Sequence, residues 1–130
     1  MKRYLIGIFT CTLLALSLIG CTTGSYTATL AIEKNTSTSM AMTYEKLKGH
    51  KTASLSIEEN EVVEVEVDVV SKDGKLDLSI VNEQNETFYQ GTDMPTSSFV
   101  VTLDKKGKYK ITIDAKDHKG SYNISWKYVN

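Results

Sequence analysis

The chain has 130 residues, a common length for one domain, with 15 Lys and Arg against 16 Asp and Glu and a formal net charge of −1. This near balance argues against nucleic acid as a partner, because proteins that bind nucleic acid cluster their Lys and Arg residues. The two cysteines, Cys11 and Cys21, both lie near the N-terminus. The rest of the chain therefore has neither a disulfide nor a thiolate metal site, and no cofactor is expected.

The first 20 residues have the pattern of a secretory signal peptide. Lys2 and Arg3 precede an uncharged and largely apolar run, YLIGIFTCTLLALSLIG. A basic start followed by such a run is typical of export signals. A transmembrane anchor is disfavoured, because a spanning helix needs about 20 predominantly apolar residues and this run is shorter and contains Gly and Thr.

The apolar run ends in Leu18-Ile19-Gly20-Cys21. This segment resembles the lipobox of bacterial lipoproteins, and the resemblance implies a diacylglyceryl thioether on Cys21 with cleavage just before it. Two or three acyl chains anchor a protein stably, whereas a single chain binds a membrane only marginally. We therefore predict a signal peptide over 1–20, a lipidated tether over 21–25, and an exported protein anchored to a membrane and facing outward.

From residue 26 onward, apolar and polar residues alternate with a period of two, which is typical of half-buried strands. The clearest case is 61–70, where four valines alternate with Glu64, Glu66 and Asp68. This acidic row could bind a cation or a basic partner, but it is interpreted as a solvent face, paired across the sheet with Lys108 and Lys110. The other predicted strands are 26–32, 40–44, 52–57, 76–80, 87–90, 99–103, 109–113 and 122–128.

Short polar turns separate these strands at roughly ten-residue intervals, and they include a predicted tight hairpin turn at Asp73-Gly74. Short connections require antiparallel neighbours, so we predict an all-β fold for residues 26–130, a single antiparallel β-sandwich of about eight strands. The pairs Gly107-x-Tyr109 and Gly120-x-Tyr122 each open an alternating strand. In this respect the region resembles the bacterial pre-peptidase C-terminal domain, which implies a jelly-roll-like sandwich with an accessory role in binding or folding.

No catalytic motif is recognisable in the sequence. A His-Glu-x-x-His helix and a Gly-x-Ser-x-Gly elbow are both absent. The two histidines, His50 and His118, lie beside glycine-containing turns and are expected to be solvated. A serine–histidine hydrolase stays open as an alternative, because such a triad is recognised by its geometry and not by its order in the chain.

Aromatic and acidic residues supply the remaining candidate sites. Trp126 shares an alternating face with Tyr122, Ile124 and Tyr128, which predicts core packing. Tyr44, Phe88 and Tyr89 are candidate ligand-binding residues, since exposed neighbouring rings often mark an interaction site. The candidate ligands for Ca²⁺ are Asp104, Asp114 and Asp117, but Asp in a turn is ordinarily explained by turn chemistry, so no metal site is predicted.

Together these features predict a membrane-anchored bacterial lipoprotein of the cell envelope, in which a non-catalytic module binds a protein, a peptide or a cell-wall glycan. One alternative is a self-protection lipoprotein that intercepts an antimicrobial peptide. Another is a small envelope hydrolase. A polar pocket with converging side chains would favour the hydrolase, and a flat aromatic patch would favour the binding module.

Overall fold

The computed structural model describes residues 22–129, which form eight β-strands and no helix. The predicted signal peptide and Cys21 lie outside these residues. Within them, no helix of the length and apolarity needed to cross a membrane is found. The strands are β1 (Thr22–Thr23), β2 (Tyr26–Thr29), β3 (Ile32–Thr36), β4 (Ser39–Ile57), β5 (Val62–Asn82), β6 (Thr87–Gly91), β7 (Ser97–Leu103) and β8 (Gly107–Val129).

Three long strands organise the fold. Strand β8 lies in the centre and pairs antiparallel with β4 on one side and with β5 on the other. Strands β1, β2 and β3 follow one another along the outer edge of β4, and β6 and β7 do the same along the outer edge of β5. All of these pairings are antiparallel, as predicted, but β4 and β5, which a short connection joins, do not pair with each other, because β8 lies between them.

Each long strand bends at the same level of the sheet. The register shifts between Tyr44 and Gly49 in β4 and between Ser71 and Lys75 in β5, while β8 has positive φ angles at Asp117 and Gly120. The bends therefore fold one sheet into two layers. The first layer contains β3, 39–44, 120–129, 62–71 and β7, and the second contains β1, 49–57, 107–116, 75–82 and β6. Strand β2 lies beside the bend of β4, paired with 46–49.

The two layers face each other across a single apolar core. Tyr89 of β6 packs on Phe99 of β7 with ring centroids 4.9 Å apart, which joins the second layer to the first. The predicted alternation is confirmed, since all four valines between 63 and 69 are buried. Among residues 22–129, the buried hydrophobic residues all lie between Met40 and Trp126. A chain of residues 22–130 thus contains this core, and we expect it to fold on its own.

The predicted β-sandwich is confirmed, but its strands are longer than the sequence indicated. The predicted hairpin turn at Asp73-Gly74 is wrong, because residues on both sides of it continue to pair with β8. Gly74, with φ at +74°, turns β5 from one layer into the other without reversing the chain. The predicted strand 26–32 is instead divided into β2 and β3 at Leu30, where φ is +51°.

The predicted partners of the acidic row are also wrong. The register places Lys110 opposite Ser54 and Val81 in the second layer, whereas Glu64 in the first layer lies opposite Lys127. The Lys127 ammonium lies 3.8 Å from the carboxylate of Glu64 and 3.7 Å from that of Glu66. These side chains are partly or fully exposed, so the pairs contribute little to stability.

Candidate binding site

A cleft of about 630 Å³ opens at the end of the sandwich that lies away from the three bends. Five chain segments meet there, because the register brings the free ends of the long strands together. They are the turn between β3 and β4, the end of β4, the end of β5 with the turn after it, the start of β8 and the end of β8. The lining residues are Ser37, Thr38, Ser54, Leu55, Ser56, Val81, Asn82, Glu83, Asn85, Lys108, Tyr109, Lys110, Trp126 and Tyr128.

Tyr128 supplies the exposed aromatic surface of the cleft. Its side chain is 46% exposed, and its hydroxyl donates a hydrogen bond of 2.6 Å to the Ser56 carbonyl oxygen in the opposite layer. Burial raises the pKa of Tyr128, and so do the nearby carboxylates of Glu61 and Glu58, so the phenol stays protonated and can donate. The ring is thereby held in one position between the two layers.

Trp126 and Tyr109 line the same cleft and are buried. Trp126 is 5% exposed, and its backbone N–H donates to the Thr38 carbonyl oxygen at 2.9 Å. Tyr109 is buried, with its hydroxyl bonded to the Lys105 carbonyl oxygen. The core prediction for Trp126 is confirmed, but Tyr128 on the same stripe is exposed, because β4 begins opposite Ser125 and leaves the last residues of β8 without that neighbour.

Asn82 orders the polar wall of the cleft. Its buried side-chain oxygen accepts hydrogen bonds from the backbone N–H groups of Gln84 and Glu86 at 3.0 and 2.9 Å. Its side-chain nitrogen donates to the Glu86 carboxylate at 2.7 Å, and Lys105 binds the same carboxylate at 2.9 Å. These two hydrogen bonds lower the pKa of Glu86, so that it is ionised at neutral pH.

The cleft is therefore aromatic at its centre and polar at its rim, with fixed backbone on three sides. Lys108, Lys110 and Glu83 provide charge, and Asn85 provides an amide. A pocket with an apolar surface and a few well-placed polar groups is the usual form of a small-ligand site. It matches neither of the two patterns set out from the sequence, being more concave than a flat aromatic patch and more apolar than a polar pocket.

His118 lies at the opposite end of the molecule, and the prediction that it is solvated is wrong. Its side chain is completely buried at the bend of β8. The Tyr44 hydroxyl lies 2.6 Å from Nδ1, and Ser71 Oγ lies 2.8 Å from Nε2 and donates to the Met94 carbonyl oxygen at 2.7 Å. Because that bond uses the only hydroxyl proton of Ser71, Nε2 must carry the imidazole proton and Nδ1 must accept from Tyr44.

This arrangement differs from a catalytic serine–histidine pair. In such a pair the imidazole nitrogen that faces the serine accepts the hydroxyl proton, whereas here Nε2 donates. Desolvation lowers the pKa of His118 and raises that of Tyr44, which favours the neutral form of both. The hydrogen bonds therefore satisfy buried polar groups where the strands bend.

The structure separates the three aromatic residues that the sequence suggested for ligand binding. Tyr44 is buried, and its ring packs edge-on against the imidazole of His118, with the two ring centroids 5.6 Å apart. Phe88 and Tyr89 are half-buried on β6, where they pack against Tyr109 and Phe99 respectively. They form no joint exposed surface, because each ring is directed toward the core or its edge.

The three candidate calcium ligands are exposed but spread along the chain. Asp104 lies between β7 and β8, Asp114 lies within β8, and Asp117 lies at the bend, 3.8 Å from the ammonium of Lys46. Among residues 22–129, no group of three or more carboxylate, histidine or cysteine side chains is placed to hold a metal ion.

Sequence reasoning missed the residues that build the cleft. Asn82 was included in a polar turn, and Tyr128 was assigned to the core stripe with Trp126. One local signal was present in the turn between β5 and β6. An Asn side chain at the start of a turn often binds the backbone a few residues on, and Asn82 stands four residues before Glu86.

No protein-family model and no curated protein matches this chain. Among solved structures, it is similar to the enzymatically active domain of tailspike protein 4 from bacteriophage CBA120, at 13% identity over 85% of this chain, with a TM-score of 0.46. It is also similar to a xylan-binding domain from Paenibacillus barcinonensis, at 15% identity over 82% of this chain and 86% of that one, with a TM-score of 0.40.

A third similar structure belongs to the carbohydrate-binding modules of the β-sandwich superfamily, at 11% identity over 86% of this chain, with a TM-score of 0.42. This protein spans 20% of the length of the tailspike chain and 58% of that module's chain. At this identity and similarity the likeness carries no information about a ligand. The resemblances to a lipobox and to the pre-peptidase domain stay predictions from sequence.

Proposed function

We propose that this protein is an exported lipoprotein, anchored through Cys21, and that its β-sandwich is a non-catalytic module whose end cleft binds a cell-wall glycan. The observation that supports binding there is the exposed ring of Tyr128, held by its bond to Ser56 beside the buried Trp126. A flat ring with a fixed orientation offers a stacking surface at little entropic cost. The amides and hydroxyls around it match the hydrogen-bonding groups of a sugar.

A binding role fits the cleft better than a catalytic one. Its serines, Ser37, Ser54 and Ser56, lie in the cleft without a histidine, since His50 is in the middle of β4 and His118 is buried at the bends. A serine needs an adjacent base to act as a nucleophile. The antimicrobial-peptide alternative is less favoured, because Lys108 and Lys110 would repel the Lys- and Arg-rich face of such a peptide.

The cleft proposal predicts saturable co-sedimentation of the soluble chain 22–130 with purified cell-wall sacculi. Tyr128→Ala should weaken this binding about tenfold or more, as expected when a central aromatic contact is removed. Tyr26→Ala is the matched control, because Tyr26 is 37% exposed and its hydroxyl also makes one hydrogen bond, to Glu33, but it lies far from the cleft. Absence of binding by the unmodified chain, or an equal loss in both variants, would reject the glycan proposal.

The anchor is tested separately in the full-length chain. Cells expressing it should incorporate labelled palmitate into the protein, and the protein should partition with membranes. Cys21→Ser should abolish both, because it removes the thiol to which the lipid is joined. Cys11→Ser, the other cysteine of the chain, should change neither. Labelling that survives in Cys21→Ser would show that the lipobox interpretation is wrong.

A further inference from the structure

The three bends gather lysines that are far apart in the sequence. The segments 45–49, 71–75 and 115–120 contain six exposed lysines and three carboxylates. The remainder of the chain after Cys21 has seven lysines and thirteen carboxylates. The molecule is therefore polarised, with a positive corner on a protein of negative net charge. The basic corner consists of Lys46, Lys48, Lys72, Lys75, Lys116 and Lys119.

Exposed aliphatic side chains lie next to this basic corner. Leu30 is 80% exposed where β2 passes into β3, and it is followed by Ile32 at 69%. Ile32 of β3 lies opposite Thr43 of β4, which lies opposite Ser121 of β8. Ser121 in turn lies opposite Val70 of β5, which is also exposed. Two of the six lysines are paired within the corner, Lys46 with Asp117 at 3.8 Å and Lys119 with Glu45 at 3.2 Å. Outside the bends, Asp77 and Asp114 lie opposite each other in the second layer, and Asp68 lies two residues before Val70 in the first.

The segment that presents Leu30 is fixed to the sandwich. Lys51 is buried, its ammonium is paired with the Glu33 carboxylate, and it lies 4.3 Å above the ring of Tyr26. Burial alone would raise the pKa of Glu33, but hydrogen bonds from Lys51, Asn35 and Tyr26 outweigh that effect and lower it. Strands β2 and β3 are thus held on either side of Leu30, which keeps its side chain outward.

We propose that the basic corner, with Leu30 and Ile32, docks on the surface of an anionic lipid bilayer. Lysines are attracted to the acidic headgroups, and aliphatic side chains enter the boundary between headgroups and acyl chains. The inference rests on the proposed attachment through Cys21. Thr22, which follows Cys21 directly, pairs with Ala53, about 20 Å along β4 from Leu47 at the bend. Ala53 is next to Ser54 of the cleft, so the anchor and the basic corner lie at opposite ends of the same β4 edge. Docking of the corner would therefore lay this edge, with Leu30 on it, along the membrane.

The experiment measures sedimentation of the unacylated chain 22–130 with vesicles of phosphatidylcholine, alone or mixed with phosphatidylglycerol. Binding is expected to the mixed vesicles and to fall as salt is added, because salt screens exposed charges. Lys72→Gln combined with Lys75→Gln should weaken it by about fivefold for each lysine. Leu30→Asn should weaken it roughly tenfold, since Asn accepts the positive φ of this position but has no aliphatic group to insert.

The matched control is Lys106→Gln combined with Lys127→Gln, which removes the same charge near the opposite end, at residues that do not line the cleft, and should leave binding within about twofold. Equal losses in the two double variants, or no binding to mixed vesicles, would overturn the proposal. Retained binding by Leu30→Asn would show that charge alone holds the protein on the vesicles, without insertion of an aliphatic side chain, and would also overturn it. Because this assay requires neither acylation nor the cleft, its failure is distinguishable from failure of the palmitate or sacculus experiments.

Discussion

Gly120→Ala is expected to lower the free energy of unfolding by more than about 4 kcal/mol or to prevent folding, a size reached only through a severe packing conflict. A Cβ at this position would lie 1.9 Å from the Val70 carbonyl oxygen and 2.8 Å from its carbonyl carbon. Both atoms belong to the β5 backbone, so relief would require separating β5 from β8 at the bend. The φ angle of +140° adds backbone strain.

Gly107→Ala is the control that isolates this close approach. Gly107 has nearly the same φ, +145°, but no atom lies within 4 Å of the position that its Cβ would take. It should therefore pay only the backbone strain, of order 1–3 kcal/mol. Urea unfolding of both variants, in the chain 22–130, gives the comparison. Similar losses in the two variants would mean that strand conformation, and not the contact with Val70, explains the glycine.

Trp126→Ala is expected to cost about 3–5 kcal/mol, the usual range for removing a large buried aromatic side chain. Trp126 is 5% exposed and belongs to the core formed by both layers. The same change would remove an aromatic ring from the cleft that also contains Tyr128, so it should also weaken sacculus binding in molecules that remain folded. Denaturant titration followed by far-UV circular dichroism measures the loss of stability.

Lys127→Ala provides the comparison for Trp126→Ala at the neighbouring position. Lys127 is exposed and makes only the surface ion pairs with Glu64 and Glu66, which are worth at most about 1 kcal/mol each. A loss below about 0.5 kcal/mol for Trp126→Ala would be inconsistent with a buried indole. The assignment of Trp126 to the core would then be wrong.

The positions of the buried residues were predictable because burial in a strand depends on local alternation. The valines of β5 and the apolar residues at the end of β8 were identified from their spacing alone. However, the alternation of apolar and polar residues does not show where a strand ends. A bend that transfers a strand between layers interrupts the pattern in the same way as a turn, so Asp73-Gly74 was predicted to be a hairpin.

The cleft could not be predicted, because its walls come from segments far apart in the chain. The Thr38 carbonyl oxygen accepts a hydrogen bond from the Trp126 backbone N–H, and the Ser56 carbonyl oxygen accepts one from the Tyr128 side-chain hydroxyl. Neither contact can be inferred from the spacing of residues along the chain, because its two partners are more than 70 residues apart. Tyr128 also shows that a residue on an apolar stripe can be exposed when the neighbouring strand ends before reaching it.

By itself, the sequence determined the all-β class and the alternating core, since both follow from residues that are near neighbours in the chain. Only the tertiary structure decided where the strands bend, which ends form the cleft, and that lysines from three segments share one corner. His118 illustrates the difference most clearly. Its burial depends on Tyr44 and Ser71, which lie 74 and 47 residues away and reach it only because β4, β5 and β8 bend at one level.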